Sequence, residues 1–239
     1  MLVFSLYSRT KWAWNRIREI GPLYAGQRAL WLFFPRRWFE INQWILMDTD
    51  LTRWRSGQTA DGEFRWATTE DFGLLAEFGD SAKVRKAFDR GHRIVVAVRD
   101  GKICGWIWFA TGPLDYHDWL RLTLEKDECF FVDVLVDTAF RGQGIGPRMA
   151  HFAYGGLERE GYRKLWGFVD ALNRASLNAY KESIPGTGRL FYARMLGLTY
   201  LRIGEFRRLG TWGPKRRWEL RPSFIVSQCK QRSDRGIAK

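Results

Sequence analysis

The sequence predicts a mixed α/β domain, and three observations carry that prediction. ECFFVDVLVD (128–137) is an almost unbroken apolar run of strand length, the pattern of a strand buried on both faces. A glycine-rich turn, a segment of helical length and a second apolar strand, KLWGFVD (164–170), follow it. RIVVAV (93–98) and KICGWIWFA (102–110) flank Asp100-Gly101, a strong short-range hairpin signal.

In chain order, RTKWAWNRIREI (9–20) carries Trp12, Arg16 and Glu19 at helical offsets and stops at Gly21-Pro22. WFEINQWILM (38–47) has strand composition, and 48–63 is polar and turn-rich. EFRWAT reads as a strand, after which Thr68 and Asp71 form a capping box for a helix over 70–90. Residues 114–125 are ambiguous, with a helix as one reading. The glycine turn leads into a helix from Pro147 to about Glu160, with proline at the first helical position and Gly161 after the last. Asn173 caps a helix in NRASLNAYKES (173–183), and TYLRIG with EFRRLG (199–210) reads as a closing hairpin. Three regions are expected: a basic, Trp-rich extension over 1–61, the domain over 62–213, and a flexible basic tail over 214–239.

Apolar residues make up 46% of the 239 positions and aromatics 16%, enough for a sizeable core. The net charge of +13 sits at the two ends. Residues 1–40 hold 7 Arg/Lys against 2 acids and 206–239 hold 10 against 2, while 41–205 hold 22 of each. A neutral middle argues against reading the whole chain as a nucleic-acid binder. RALWLFFPRRW (28–38) interleaves aromatics with arginine, which suits packing on the domain or contact with an anionic membrane surface. Cys104, Cys129 and Cys229 lie far apart without metal or disulfide spacing, and His92, His117 and His151 show no metal pattern either, so no metal is expected. That cysteine usage fits a reducing compartment, most simply the cytoplasm, with the basic ends able to touch the inner membrane surface. MLVFSLYSRTKWAW makes a poor signal peptide, and no apolar run reaches spanning length.

The turn RGQGIGP (141–147) joins a buried strand to a helix. First-turn amides of a helix lack internal partners, and the helix dipole adds partial positive charge there. Gly142, Gly144 and Gly146 let backbone approach a ligand, and Arg141 supplies a planar cation, a combination suited to phosphate or pyrophosphate. A plain connecting turn is the bland alternative. No Gly-Lys-Ser/Thr follows, so this is not a P-loop, and Pro147 spoils a dinucleotide fingerprint.

Arg141-x-x-Gly144-x-Gly146 resembles the acetyl-CoA loop of the GNAT superfamily of N-acetyltransferases. Val136, five residues before the arginine, and Asn173-x-x-Ser176-x-x-x-Tyr180 downstream resemble that family's other landmarks, over roughly residues 62–205. The resemblance implies a central, mostly antiparallel sheet splayed between its fourth and fifth strands and flanked by helices. It implies acetyl-CoA as co-substrate. The backbone of Val134, Leu135 and Val136 would pair with the pantetheine arm. The amides of Arg141, Gly142, Gln143, Gly144, Ile145 and Gly146 would hold the pyrophosphate, and Asn173 would bind the cofactor arm.

Acyl transfer to an amine needs a neutral amine, a polarised carbonyl and a proton for the departing thiolate. Tyr180 is the family-like acid, although LFYARMLGL (190–198) also resembles the family's tyrosine-containing ending and makes Tyr192 the alternative. Glu128 resembles the glutamate base of histone acetyltransferases in this superfamily; Asp133 and water are the alternatives. Unless a bulge intervenes, period-2 alternation puts Glu128, Val134 and Val136 on one face. His117 lies in GPLDYHDWL (112–120), which could border the acceptor site. The expected activity is acyl-CoA-dependent N-acyltransfer, acetyl above all, to a small-molecule amine or amino sugar by direct attack in a ternary complex. An inactive CoA-binding interaction module and a membrane-surface acyltransferase acting on cell-envelope sugars are the other readings, and a homodimer stays open.

Overall fold

The same hydrophobic patterning builds the observed architecture. A computed structural model describes residues 39–54, 63–78, 81–183, 188–195, 198–203, 211–214 and 218–226. The expected helix at 9–20, the basic segment 28–38 and the final residues 227–239 lie outside them. In chain order the described elements are β1 (Phe39–Asp50), β2 (Phe64–Trp66), α1 (Phe72–Phe78), α2 (Ser81–Asp89), β3 (Arg93–Arg99), β4 (Lys102–Ala110), β5 (Leu114–His117), β6 (Leu120–Leu122) and β7 (Glu128–Val136). They continue with α3 (Ile145–Arg159), β8 (Lys164–Asp170), α4 (Arg174–Ala179), β9 (Arg189–Met195), β10 (Leu198–Ile203), β11 (Thr211–Pro214) and β12 (Trp218–Leu220). They fall into two units, one of residues 47–168 with 218–222, the other of 39–46 with 169–214 and 223–226.

In the first unit the strand order is β2-β3-β4-β7-β8. Every pair is antiparallel except β7 with β8, which run parallel. Asp100 and Gly101 both take positive φ (49° and 72°), as the tight β3–β4 turn requires. Thr68 and Asp71 form the expected capping box, and Asp71 also takes two 2.7 Å hydrogen bonds from Arg65. That guanidinium holds the Asp71 carboxyl below its ordinary range. The helix expected over 70–90 is instead a short 3-10 turn at Thr69–Asp71 followed by α1 and α2. Residues 114–125 hold no helix but the hairpin β5–β6, to which β12 adds in parallel. Trp218–Leu220, assigned to the tail by sequence, therefore form a strand.

The β4–β7 ladder holds one irregularity that orients everything nearby. Trp108 opposes Asp133, but the next β4 residue, Phe109, opposes Phe131, so Val132 is an inserted residue on β7. Below the bulge Phe131 meets Phe109, which in turn meets Tyr154 of α3. Above it Val136 lies on the α3 side, where a Cβ on Gly105 would come within 3.2 Å of Met149 Cε and 3.5 Å of Val136 Cγ2. Val132 and Leu135 instead pack on the opposite core of Leu75, Val84, Trp106 and Trp108. The bulge thus puts Glu128 on the face of Asp133 and Leu135, opposite Val134 and Val136. This corrects the simple alternation.

In the second unit β11-β10-β9-β1 form an antiparallel ladder. Of the hairpin expected over 199–210, TYLRI lies in β10, which pairs with β9 and β11, while residues 204–210 lie outside the described residues. Asn173 caps α4, its Oδ1 accepting from the Ser176 amide at 3.2 Å. Glu40, Asn42, Tyr192 and Arg194 are all buried here. Asn42 donates to Glu40, and Arg194 Nε donates to the Tyr192 hydroxyl at 2.8 Å.

Candidate active site

The loop between β7 and α3 is built to keep backbone donors exposed. Asp137 ends the strand and accepts from the Ala139 amide at 2.9 Å, winding Thr138–Phe140 into one 3-10 turn. Arg141 folds back so that its Nε donates to the Val136 carbonyl at 3.0 Å. Gly142 and Gly144 both take left-handed φ (80° and 71°), and a Cβ on either would meet nothing within 4 Å. Open space lies in front of a backbone that only glycine adopts without strain. Gly144 is the N-cap of α3, so no side chain covers the helix start. The helix begins at Ile145, two residues before the expected Pro147. Pro147 is its third residue, where a missing N–H still costs no internal bond. The Ile145 and Gly146 amides stand at the positive end of a 15-residue helix. Arg99 reaches Gln143 at 2.5 Å, and Arg99 and Arg148 share the Glu63 carboxylate, adding positive charge beside the loop.

Val134, Leu135 and Val136 pair with Ile107, Trp106 and Gly105 on one edge of β7. On the other edge the β8 ladder covers Glu128–Phe131 against Lys164–Gly167 and ends there. The two parallel strands part at the bulge. Burial follows: residues 128–131 are buried and 132–136 are not, so the strand expected to be buried throughout is covered along its first half.

The carboxylate candidates separate. Glu128 is buried; its Oε2 accepts from the Glu125 amide at 2.9 Å, and its own amide donates back to the Glu125 carbonyl. It closes the turn that starts β7. Asp133 is exposed at the bulge and lines a cavity of about 350 Å³ with Lys86, Arg90, Trp108, Tyr116 and His117. His117 therefore borders a cavity, as its segment suggested. Lys86 and Arg90 fall within the stretch 70–90 expected to be helical, and no motif in the sequence marks them. His92 accepts from the Thr111 amide through Nδ1, and burial, with Arg90 and Lys86 adding to it, pushes its pKa down to about 4. Cys104 and Cys129 are buried, and burial raises both thiols above their ordinary range.

In the second unit Asn173 and Tyr180 stand at the two ends of α4, the Tyr180 amide donating to the Ser176 carbonyl. Tyr180 is 6% exposed and Tyr192 0%, the latter in β9 rather than at a helix end. Among the described residues no cluster of His, Cys, Asp and Glu could hold a metal, and no helix is long and apolar enough to cross a membrane.

The Acetyltransferase (GNAT) family model matches residues 42–183. Among solved structures the chain is similar to a Novosphingobium aromaticivorans protein described as a GNAT acetyltransferase, at 12% identity and TM-score 0.45, over 65% of this chain and 61% of that one. It is also similar to the ribosomal-protein-S18-alanine N-acetyltransferase of Escherichia coli, at 16% identity and TM-score 0.41, over 50% of this chain and 74% of that one. An aminoglycoside acetyltransferase from an uncultured soil metagenomic sample is similar at 17% identity and TM-score 0.39, over 53% and 91%. The chain thus spans about three fifths of the length of the first of these. No curated protein matches it.

Proposed function

The chain belongs to the GNAT acetyltransferase family, and we propose that it moves an acetyl group from acetyl-CoA to the amine of a small molecule or amino sugar by direct attack in a ternary complex. The observation that carries this reading is the parting of β7 from β8 at Val132, directly before a loop whose glycines face open space. Those features fit the donor. The free edge of Val134–Val136 accepts an extended arm, and the amides of 141–146 at a helix start accept a pyrophosphate. Acetyl-CoA would supply the activated thioester.

The chain's own residues do the rest. Asp133, at the bulge and on a cavity wall, receives the amine proton directly or through water. Glu128, tied into the Glu125 turn, holds the start of the strand that carries Asp133. Tyr180 takes the acid role that its spacing from Asn173 assigns in the family pattern. Arg141 fixes the loop against the end of β7 by its bond to Val136.

Calorimetry with acetyl-CoA on wild type and Gly144→Glu, followed by CoA release across a panel of amines, tests the proposal. Binding lost in the variant and release with an amine are expected. Absence of wild-type binding, or equal binding by both proteins, overturns the donor assignment.

A further inference from the structure

Two cavities in the first unit, of about 350 and 240 Å³, share Arg90 and Asp115. The larger runs along β5 to the β7 bulge, where Asp133 stands; the smaller reaches Gly112, Pro113 and Arg121. Their charges are laid out unevenly. Asp115 faces two guanidinium groups, Arg90 at 3.2 Å and Arg121 at 3.8 Å. One carboxylate cannot neutralise both, and Lys86 adds a third cation on the α2 side. The far wall carries Asp133. Trp108, Tyr116 and His117 line the same cavity.

We infer that this double cavity binds the acceptor and that the acceptor is an amine carrying its own anionic oxygen group, a carboxylate or a phosphate. The anion sits against Arg90, Arg121 and Lys86, and the amine end reaches Asp133 beside the bulge. This rests on the acetyl-transfer reading above and adds the substrate class. A guanidinium pairs with carboxylate or phosphate through two parallel hydrogen bonds, whereas a hydroxyl offers it one oxygen. The volume suits a molecule of amino-acid to amino-sugar-phosphate size, which the aromatic walls would cover. A neutral amine would add nothing to the Asp115 carboxylate that faces Arg90 and Arg121 once water is displaced. A polycationic amine would meet three like charges. Burial is the main cause that lowers the His92 pKa, and Arg90 and Lys86 add to it, in keeping with a positive local field.

The test compares amines in pairs that differ only in the anion: glucosamine with glucosamine 6-phosphate, and an amino-acid amide with the free amino acid. Calorimetric binding and CoA release are each measured on wild type, Lys86→Gln and Arg90→Gln. Lys86 is an exposed helix-surface residue, so its variant remains informative if Arg90→Gln fails to fold. The inference expects the anionic member to bind and react at least ~10-fold better and that preference to fall ~10-fold in either variant. The phosphate and carboxylate pairs identify which anion fits. Equal use of both members, or a preference that survives both variants, overturns the inference while leaving acetyl transfer intact. Selective binding of anionic amines with no CoA release from any of them overturns acetyl transfer but keeps the cavity assignment. Absence of both binding and release overturns both.

Discussion

The Nε of Arg141 donates to the Val136 carbonyl at 3.0 Å, so the last residue of β7 and the first of the glycine loop are fastened to each other. Arg141→Ala removes that tie. Acetyl-CoA binding is expected to weaken about tenfold, the loss of roughly one charge-assisted hydrogen bond, while Arg141→Gln, which keeps a shorter amide donor, loses less. Titration calorimetry on both variants measures the difference.

Gly144 has φ +71° and caps α3. Gly144→Ala is expected to cost about 1–2 kcal/mol of stability because a Cβ strains that backbone. Gly144→Asn costs less, since asparagine tolerates left-handed φ and caps helices well. Both side chains intrude into the ligand space, so both weaken acetyl-CoA binding by tenfold or more. Stability of the two variants that fails to separate, or donor binding that survives in either, overturns the expectation.

The two tyrosines are expected to fail differently. Tyr180→Phe lowers kcat with little change in KM, as loss of an acid does. Tyr192→Phe leaves the buried Arg194 Nε without its acceptor and costs about 1–3 kcal/mol of stability, with kcat per folded molecule unchanged. Steady-state kinetics beside urea denaturation distinguishes the two.

His92 titrates near 6.5 when unfolded and at about 4 when folded. Protons therefore bind the unfolded chain first as the pH drops. Its contribution is complete above pH 6.5 and falls between there and pH 4, by up to roughly 3 kcal/mol. His92→Gln flattens that part of the stability profile. An unchanged slope of unfolding free energy against pH between 6.5 and 4 would falsify this.

Asp71, held below the ordinary carboxylate value chiefly by Arg65, contributes stability above its unfolded value of 3.8 and loses it as the pH falls through the lower folded value. Asp71→Asn is expected to cost roughly 1–3 kcal/mol at pH 7. The gap to wild type closes in acid, as denaturation midpoints at pH 7 and pH 3 will show.

Much of the frame is written locally. β4 and β8 run over the residues that their apolar patterns mark, Asp100-Gly101 makes its turn, and Thr68 and Asp71 close their box, because each depends on neighbours a few positions away. What the sequence conceals is non-local. LDYH and LRL are too short to show a period, and they become strands by pairing with each other and with Trp218–Leu220. The bulge at Val132 leaves no mark in an apolar run, yet it decides which carboxylate shares a face with which valine. Lys86 and Arg90 gain meaning only when Asp115 and Asp133 arrive from later in the chain.

The inserted residue at Val132 also separates two inheritances. Beyond it, Asp133 and Leu135 look toward the acceptor cavity and its adjoining core, while Val134 and Val136 look toward α3. Substitutions at 133 therefore act on the cavity side, where the amine proton is proposed to go, and leave the α3 side of the strand as it is. Deleting Val132 alone would make the β4–β7 ladder regular and leave both sets on the faces they already occupy. The register of Asp133–Val136 on β4 therefore does not depend on the inserted residue, and its place in the fold is the local bend it gives β7 where the β8 ladder ends.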